Sequence, residues 1–376
     1  MAAPASPFPI GPRDFPDRAF QELLKRPENL SDFVQVAAPD LAPRLDCLHA
    51  ELRDPRFYLR DWQRLVADVL FNVPIVGSDA SVSFAVLLVE QQTSAEDVTV
   101  FRTSLHHHFA WAEDWKAWVE GHPRGAPLRL KPPIPIIMHT GATPWNAARE
   151  LRELFDAPDD LLGFVPVWKP IIWEVSQYSP QELLSLSSPW MKTFAVVRAE
   201  KEPPDVFEGV YEAALGQLNP WAEIAHVRWH ELVRFLASWA LNRRKSEERV
   251  KLAEIAVKIQ SNAQQREEVE GMFKTGAEAL IEEGEIKGEL KGELKANRQA
   301  VSEVLKWKFP NKFDESAAVR VQTADNPLTL SQWFQAALHA ESWKDFRKQA
   351  GWPKGNGHGD GNENGDHGDG EGAHSH

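Results

Sequence analysis

The chain from residue 66 to residue 92 runs Val66-Ala67-Asp68-Val69-Leu70-Phe71-Asn72-Val73, then Pro74-Ile75-Val76-Gly77-Ser78-Asp79-Ala80-Ser81, then Val82-Ser83-Phe84-Ala85-Val86-Leu87-Leu88-Val89-Glu90-Gln91-Gln92. The outer two pieces are short, rich in Val, Leu and Phe, and bounded by turn residues, which is the pattern of buried strands. Folded back about a centre near Asp79, they pair antiparallel and set Asp68 across from Glu90. Gln92, two residues on, shares the face of Glu90. Directly opposed positions have Cβ atoms about 4.5–5.5 Å apart. Two carboxylates that close repel each other. A divalent cation removes that repulsion, and Mg²⁺ prefers such hard oxygen ligands. The reading requires the two carboxylates to meet on one side of the sheet.

Outward from this hairpin the periodicity alternates between helix and strand. Asp17 to Val36 carries Phe20, Leu23, Leu24, Leu30 and Phe33 at helical spacing, and Pro27 either kinks that helix or starts a second one. Leu41 to Leu52 reads as a further helical piece. On the other side, Val98 to Val119 predicts a helix with Phe101, Leu105, Phe109, Trp111, Trp115 and Trp118. Pro132-Pro133-Ile134-Pro135-Ile136-Ile137-Met138 follows as a short strand. Strand, helix, strand in that order predicts a crossover, with the third strand parallel to the second. Ala147 to Phe155 reads as a short helix, and Phe164 to Val175 as one strand or two broken at Pro170. Residues 181–240 read as mostly helical, interrupted at Pro203-Pro204.

Bulk composition narrows the class. The chain has 376 residues, 43% hydrophobic, with 15 Trp, enough to bury a sizeable core. A lone cysteine, Cys47, excludes intrachain disulfides and a Cys-rich zinc site and fits a reducing cytoplasm. The first residues lack the basic-then-apolar order of a signal peptide. No apolar run approaches the ~20 residues of a membrane helix. A net charge of −13 argues against coating nucleic acid by bulk charge, while leaving room for a local basic groove or a bridging metal.

The expected organisation is a loose N-terminus over 1–13, a folded domain over 14–240, a charged helical extension with a small cap over 241–350, and a disordered tail over 351–376. The extension contains Gly284-Glu285-Ile286-Lys287-Gly288-Glu289-Leu290-Lys291-Gly292-Glu293-Leu294-Lys295, a four-residue repeat. Each Gly costs a helix about 1 kcal/mol. Two readings are open there: a solvated, partly frayed helix, or self-association through the Ile286, Leu290 and Leu294 stripe into a homo-oligomer. Trp307, Phe309, Phe313 and Trp333 suggest the small cap. The tail, rich in Gly, Asp, Asn and His, cannot bury a core.

Several pieces together resemble a known family. These are Asp17-Arg18-Ala19-Phe20 with Pro27-Glu28-Asn29-Leu30-Ser31-Asp32-Phe33; Arg64-Leu65-Val66-Ala67-Asp68-Val69-Leu70-Phe71; Leu88-Val89-Glu90-Gln91-Gln92-Thr93-Ser94; and Pro132 to Gly141 with Pro144-Trp145. In this order they resemble the recombination-promoting nuclease (Rpn) and putative transposase family of the PD-(D/E)xK nuclease superfamily. The Gly-Glu-Leu-Lys repeat resembles that family too. The resemblance implies an α/β fold with a PD-(D/E)xK restriction-endonuclease-like core, a mixed sheet flanked by helices, followed by a C-terminal helical extension. It implies a Mg²⁺-dependent endonuclease whose partner is DNA. Carried over, Asp68 and Glu90 hold the metal and Gln92, in place of the usual Lys, orients water. The sequence departs from the family at Pro16, where His is frequent, at Gln21, where a basic residue is frequent, and at Gln91, where His is common.

Other residues have two readings each. Asp17 either reaches the site as an accessory acid or caps its helix. His139, before Gly141, either joins a site at the strand end or is an ordinary surface imidazole. His106, His107 and His108 cannot all face one metal, since successive helical residues lie ~100° apart; they read as a partly exposed face or a phosphate contact. Arg129 and Lys131 are phosphate contacts or plain surface charge. The alternative to a nuclease is a nuclease fold with weak or absent catalysis that binds DNA or a protein partner.

Overall fold

The computed structural model describes residues 15–58, 64–77, 84–123 and 125–352. The expected loose N-terminus, the turn residues 78–83 and the tail from 353 onward lie outside the described residues. Among the described residues seven strands are present: β1 Glu51–Leu52, β2 Arg56–Tyr58, β3 Arg64–Val66, β4 Val69–Pro74, β5 Phe84–Gln92, β6 Pro133–His139 and β7 Ile171–Glu174. The hairpin forms in the expected register. Val69 pairs with Val89, Leu70 with Leu88 and Pro74 with Phe84, so the next step places Asp68 across from Glu90. Asp68 itself is a bend one residue before β4, not a member of the strand.

The main sheet has the order β1-β4-β5-β6-β7. β1, β4 and β5 are antiparallel, and β5, β6 and β7 are parallel. It is the mixed sheet flanked by helices that the sequence led us to expect. β2 and β3 form a separate antiparallel ribbon.

Helices cover both faces. α1 (Phe15–Leu24) and α2 (Pro27–Ala37) are separate helices, with Pro27 opening the second; proline fits a first helical position, where no N–H is needed. They bury Phe20, Leu23, Leu30 and Phe33 against Phe71, Leu87, Val89 and Met138 on one face of the sheet. α3 (Asp97–Gly121) covers the other, where Ala110 meets Leu70, Val86 and Leu88, and Val100 meets Ile137. Of the apolar residues that announced α3, Phe101 and Trp115 are exposed, at 49% and 56%, while Leu105, Phe109, Trp111 and Trp118 are half-buried. Its sheet-facing side is instead Thr99, Val100, Thr103, His106, His107 and Ala110.

After β7 the chain is helical: α4 (Pro180–Ser185), α5 (Pro189–Arg198), α6 (Pro204–Leu218), α7 (Trp221–Ile224), α8 (His226–Arg243), α9 (Ser246–Lys258), α10 (Ala263–Lys308), α11 (Glu315–Thr323), α12 (Pro327–His339) and α13 (Trp343–Gln349). α5 and α8 stack Phe194 and Phe235 on Phe20 of α1. Leu252, Ala256, Val269 and Phe273 join the same core. The first compact unit therefore extends to Ile281, past the boundary expected at 240. The second unit, from Glu282, has its own core of Val301, Leu305, Val321, Leu330, Trp333 and Phe346.

Three expected elements are different. Residues 41–52 hold two 3₁₀ turns and β1 rather than a helix. Residues 147–155 shrink to a 3₁₀ turn at Leu151–Leu154. Of 164–175 only Ile171–Glu174 is strand, starting directly after Pro170. The repeat is continuous helix within α10. Leu290 is 46% exposed there, and the fold gives no support to assembly through the stripe. Trp307, expected in the cap, is 79% exposed. Among the described residues no helix is long and apolar enough to cross a membrane.

Candidate active site

Strands β5, β6 and β7 end together. Gln92 pairs with His139, and His139 with Glu174, so three polar side chains stand side by side at the carboxyl ends of parallel strands. Even-numbered residues of β5 direct their backbone groups toward β6, since Val86 donates to Pro132 and the Gln92 carbonyl accepts from Thr140 at 2.8 Å. Odd-numbered ones face β4. The N–H of Gln91 therefore looks toward β4 at the point where that strand has bent away. Asp68 Oδ2 accepts this N–H at 2.6 Å. Its other oxygen, Oδ1, accepts from Gln21 Nε2 of α1 at 2.9 Å. The aspartate thus closes the open end of the hairpin ladder and ties it to the first helix.

The bend changes which way Asp68 faces. Ala67 and Leu70, an odd number of residues apart, are buried in the same cluster under α3, so strict alternation is broken between them. Asp68 turns toward α1. Glu90 keeps the alternation of Val86 and Leu88 and turns toward α3, where its Oε1 lies 2.6 Å from His106 Nδ1. Glu90 is 3% exposed, while Asp68 is half-buried. The backbones are opposed as expected, but the two carboxylates are held by helices on opposite faces of the sheet. The expectation that both share one face is corrected accordingly.

His106 and His107 are buried and only His108 is exposed, which corrects the reading of these three as a partly exposed face. His107 lies between the carbonyls of Thr103 and Val86, at 3.1 and 3.4 Å. Burial pushes its pKa down to about 4, against the upward pull of those carbonyls. His139 is fully buried, not a surface imidazole. Its Nε2 lies 2.9 Å from the Thr143 carbonyl and its ring meets Trp145 edge-on. Gln91 is buried and donates to Thr140 Oγ1 at 2.7 Å. The Gln92 side chain sits half-buried at the strand end. Asp17 lies one turn before Gln21 in α1, but its side chain is outside the described residues. Lys131 donates to Asn72 at 3.2 Å; its amine is engaged with the edge of the sheet.

Glu174 is a member of this row that sequence reasoning missed. It is buried, and accepts from the Trp145 amide at 2.6 Å, Arg149 Nη2 at 2.8 Å and Gln177 Nε2 at 2.9 Å. Burial raises its pKa, and the Trp145 amide and the Arg149 guanidinium more than offset that, so the carboxyl sits below the usual range. Its signal was the alternation Ile172, Glu174, once Pro170 is taken as the strand's start. Gln21 and His106 were missed as partners because neither carries a recognisable spacing to Asp68 or Glu90. Gly141 is fixed by space: a Cβ there would stand 2.5 Å from the Thr93 carbonyl oxygen and 2.6 Å from the His139 ring. Among the described residues, no three His, Cys, Asp or Glu side chains gather as a metal-binding group.

A mixed sheet with helices on both faces and a row of acid, amide and imidazole groups at its strand ends defines an α/β protein with a polar site where such folds place theirs. Residues 15–199 match the model of the family described as putative transposase, YhgA-like. The match spans α1 to the end of α5, including every residue of the row. No curated protein and no solved structure matches the chain.

Proposed function

We propose that the protein is a Mg²⁺-dependent endonuclease acting on DNA, built on a PD-(D/E)xK-type core. The observation that carries this reading is the hairpin register, which opposes Asp68 and Glu90 at the end of β5 inside the family-matched stretch. The donor chemistry suits the cation: Mg²⁺ keeps several waters and takes one or two carboxylates. Asp68 and Glu90 would hold it only once Glu90 leaves His106 and turns to the Asp68 side, since the two carboxylates are held on opposite faces of the sheet. A cation held there would supply a water of lowered pKa and offset charge on the phosphate. The protein's own groups orient the parts. Gln21 and the Gln91 amide each donate to one oxygen of Asp68 and so fix its orientation. Gln92 stands at the strand end, able to position water by hydrogen bonds but without the positive charge a Lys would bring.

One observation favours a second reading, a nuclease fold that binds DNA or a protein with little turnover. Glu90 is nearly sealed from solvent, against His106 and away from Asp68. That reading does not require Glu90 to reach a substrate.

Nicking of supercoiled plasmid with and without Mg²⁺ separates the two. The endonuclease reading expects Mg²⁺-dependent nicking that falls at least about 100-fold in Asp68→Ala and in Glu90→Ala, the upper range for losing even an outer partner of a metal site. Nicking unchanged in both variants overturns it. Gln92→Lys is expected to speed cleavage, and His106→Asn to do so by releasing Glu90. Metal-independent DNA binding with no nicking selects the second reading.

A further inference from the structure

Beside Thr140 the strand ends open into a cavity of about 120 Å³. That is well below the roughly 300–1,000 Å³ of drug-sized ligand sites, and suits a single small polar group. Its walls come from the ends of two helices: Arg198 of α5 with Lys201 just beyond it, and Trp239 and Arg243 of α8. Gly141 and Thr140 form the floor next to the candidate site, Thr140 being the residue that binds Gln91.

The lining has three cations against one carboxylate, Glu200, in a chain of net charge −13. Glu200 is already matched by Arg243, whose Nη2 lies 2.9 Å from Oε1. The backbone carbonyls of Glu200 and Glu202 are taken by Arg244, which is outside the lining. These matches leave Arg198 and Lys201 unused. No hydrogen bond or ion pair among the described residues engages the Lys201 amine, and Lys201 is exposed. Arg198 Nε is buried without a partner.

A second, independent observation is Trp239. It is 2% exposed, its indole N–H has no acceptor, and it lines this same cavity. A buried donor left unmatched costs about 1–3 kcal/mol. Its ring is held by Phe15, Phe20 and Phe235, so the N–H is a fixed donor. Two cations and an N–H donor that lack acceptors line one small space, and an anion with several oxygens matches that chemistry.

We infer that this cavity binds a phosphate of the DNA backbone and holds the strand beside the Asp68 end of the hairpin. The inference rests on the DNA-acting reading and deepens it: Arg198, Lys201 and Trp239 are positioning residues for the polymer rather than groups that touch the scissile bond. The side of the sheet agrees. Asp68 faces α1, and α1 packs on Trp239 through Phe15 and Phe20.

The test is anisotropy of a short fluorescein-labelled DNA duplex with the full chain in EDTA, where no hydrolysis intervenes. Lys201→Ala and Arg198→Ala are each expected to weaken binding about tenfold whatever the DNA sequence, and to lower the slope of log K against log salt by about 0.9. Trp239→Phe is expected to weaken binding without changing that slope, because it removes a donor and no charge. Lys116→Ala, an exposed cation of α3 on the other face, is expected to change neither. Equal affinities and slopes for wild type, Lys201→Ala and Arg198→Ala overturn the inference even if plasmid nicking is intact. Equal losses for Lys116→Ala and Lys201→Ala also overturn it, since they show bulk charge alone. Binding that depends on Lys201 while plasmid is not nicked upholds the inference and sinks only the catalytic reading. No measurable duplex binding, together with calorimetric binding of inorganic phosphate at low millimolar concentration, would show a free-phosphate site and overturn the assignment to DNA.

Discussion

His107 shows how one buried side chain writes a pH dependence into the whole fold. Its imidazole is neutral between the Thr103 and Val86 carbonyls, with a pKa near 4 because burial disfavours the charge. In the unfolded chain the same group titrates near 6.5. The folded value is the lower one, so the unfolded state takes up the proton first as pH falls. The stability tied to His107 is fully present above about pH 6.5 and is lost as pH drops toward 4, by about 3 kcal/mol in all. A His107→Leu variant is expected to show a flatter melting temperature between those two pH values. An equally steep decline in wild type and variant would contradict it. Glu174 adds to the acid side with the same sign. Its carboxyl is held low chiefly by Trp145 and Arg149 against the effect of burial, so its contribution stays until pH falls below the ordinary carboxylate range.

At the scale of the element, α3 is the instructive case. None of its large aromatic residues is fully buried, and its buried face is Thr99, Val100, Thr103, Ser104, His106, His107 and Ala110. The inner face is narrow because the helix lies close over Leu70, Val86 and Leu88, and Ala110 is what fits. Ala110→Leu is expected to overpack this contact and cost about 1–3 kcal/mol. Trp115→Lys, at a residue 56% exposed, is expected to stay within about 0.5 kcal/mol. Denaturant midpoints of the two variants check the pair, and a larger loss for Trp115→Lys would refute the assigned orientation. The hydrophobic period located this helix but did not say which stripe meets the sheet, because period reports spacing alone. The bend at Asp68 escaped for a related reason. Alternation could place the residue opposite Glu90, but a break in alternation depends on where β3 and Pro55 hold the chain, as the Ala67 amide bound to the Pro55 carbonyl shows.

For the whole molecule, the two cores share no residue. One ends at Phe273 and the other begins at Val301, with Leu294 packed against it. A chain ending at Ile281 is therefore expected to keep the cooperative unfolding transition of the first unit, followed by Trp fluorescence. Loss of that transition would show that the second core supports the first. The boundary expected at 240 failed because α9 and the start of α10 look charged in sequence, yet Leu252, Ala256 and Val269 bury one thin stripe each turn or two. A long polar helix can be half of a core when the partner helices supply most of the apolar surface.

The sequence alone determined the strands of the hairpin, their register and the parallel return of β6, because these depend on local alternation, turn residues and chain length. Its motifs, in order, also pointed to the family whose model residues 15–199 match. Only the tertiary structure decided that Asp68 faces α1 while Glu90 faces His106, that Glu174 completes the row, and that Arg198, Lys201 and Trp239 meet at its mouth. Those contacts join residues tens to more than a hundred positions apart, and no period or spacing along a chain encodes which distant side chains share a space.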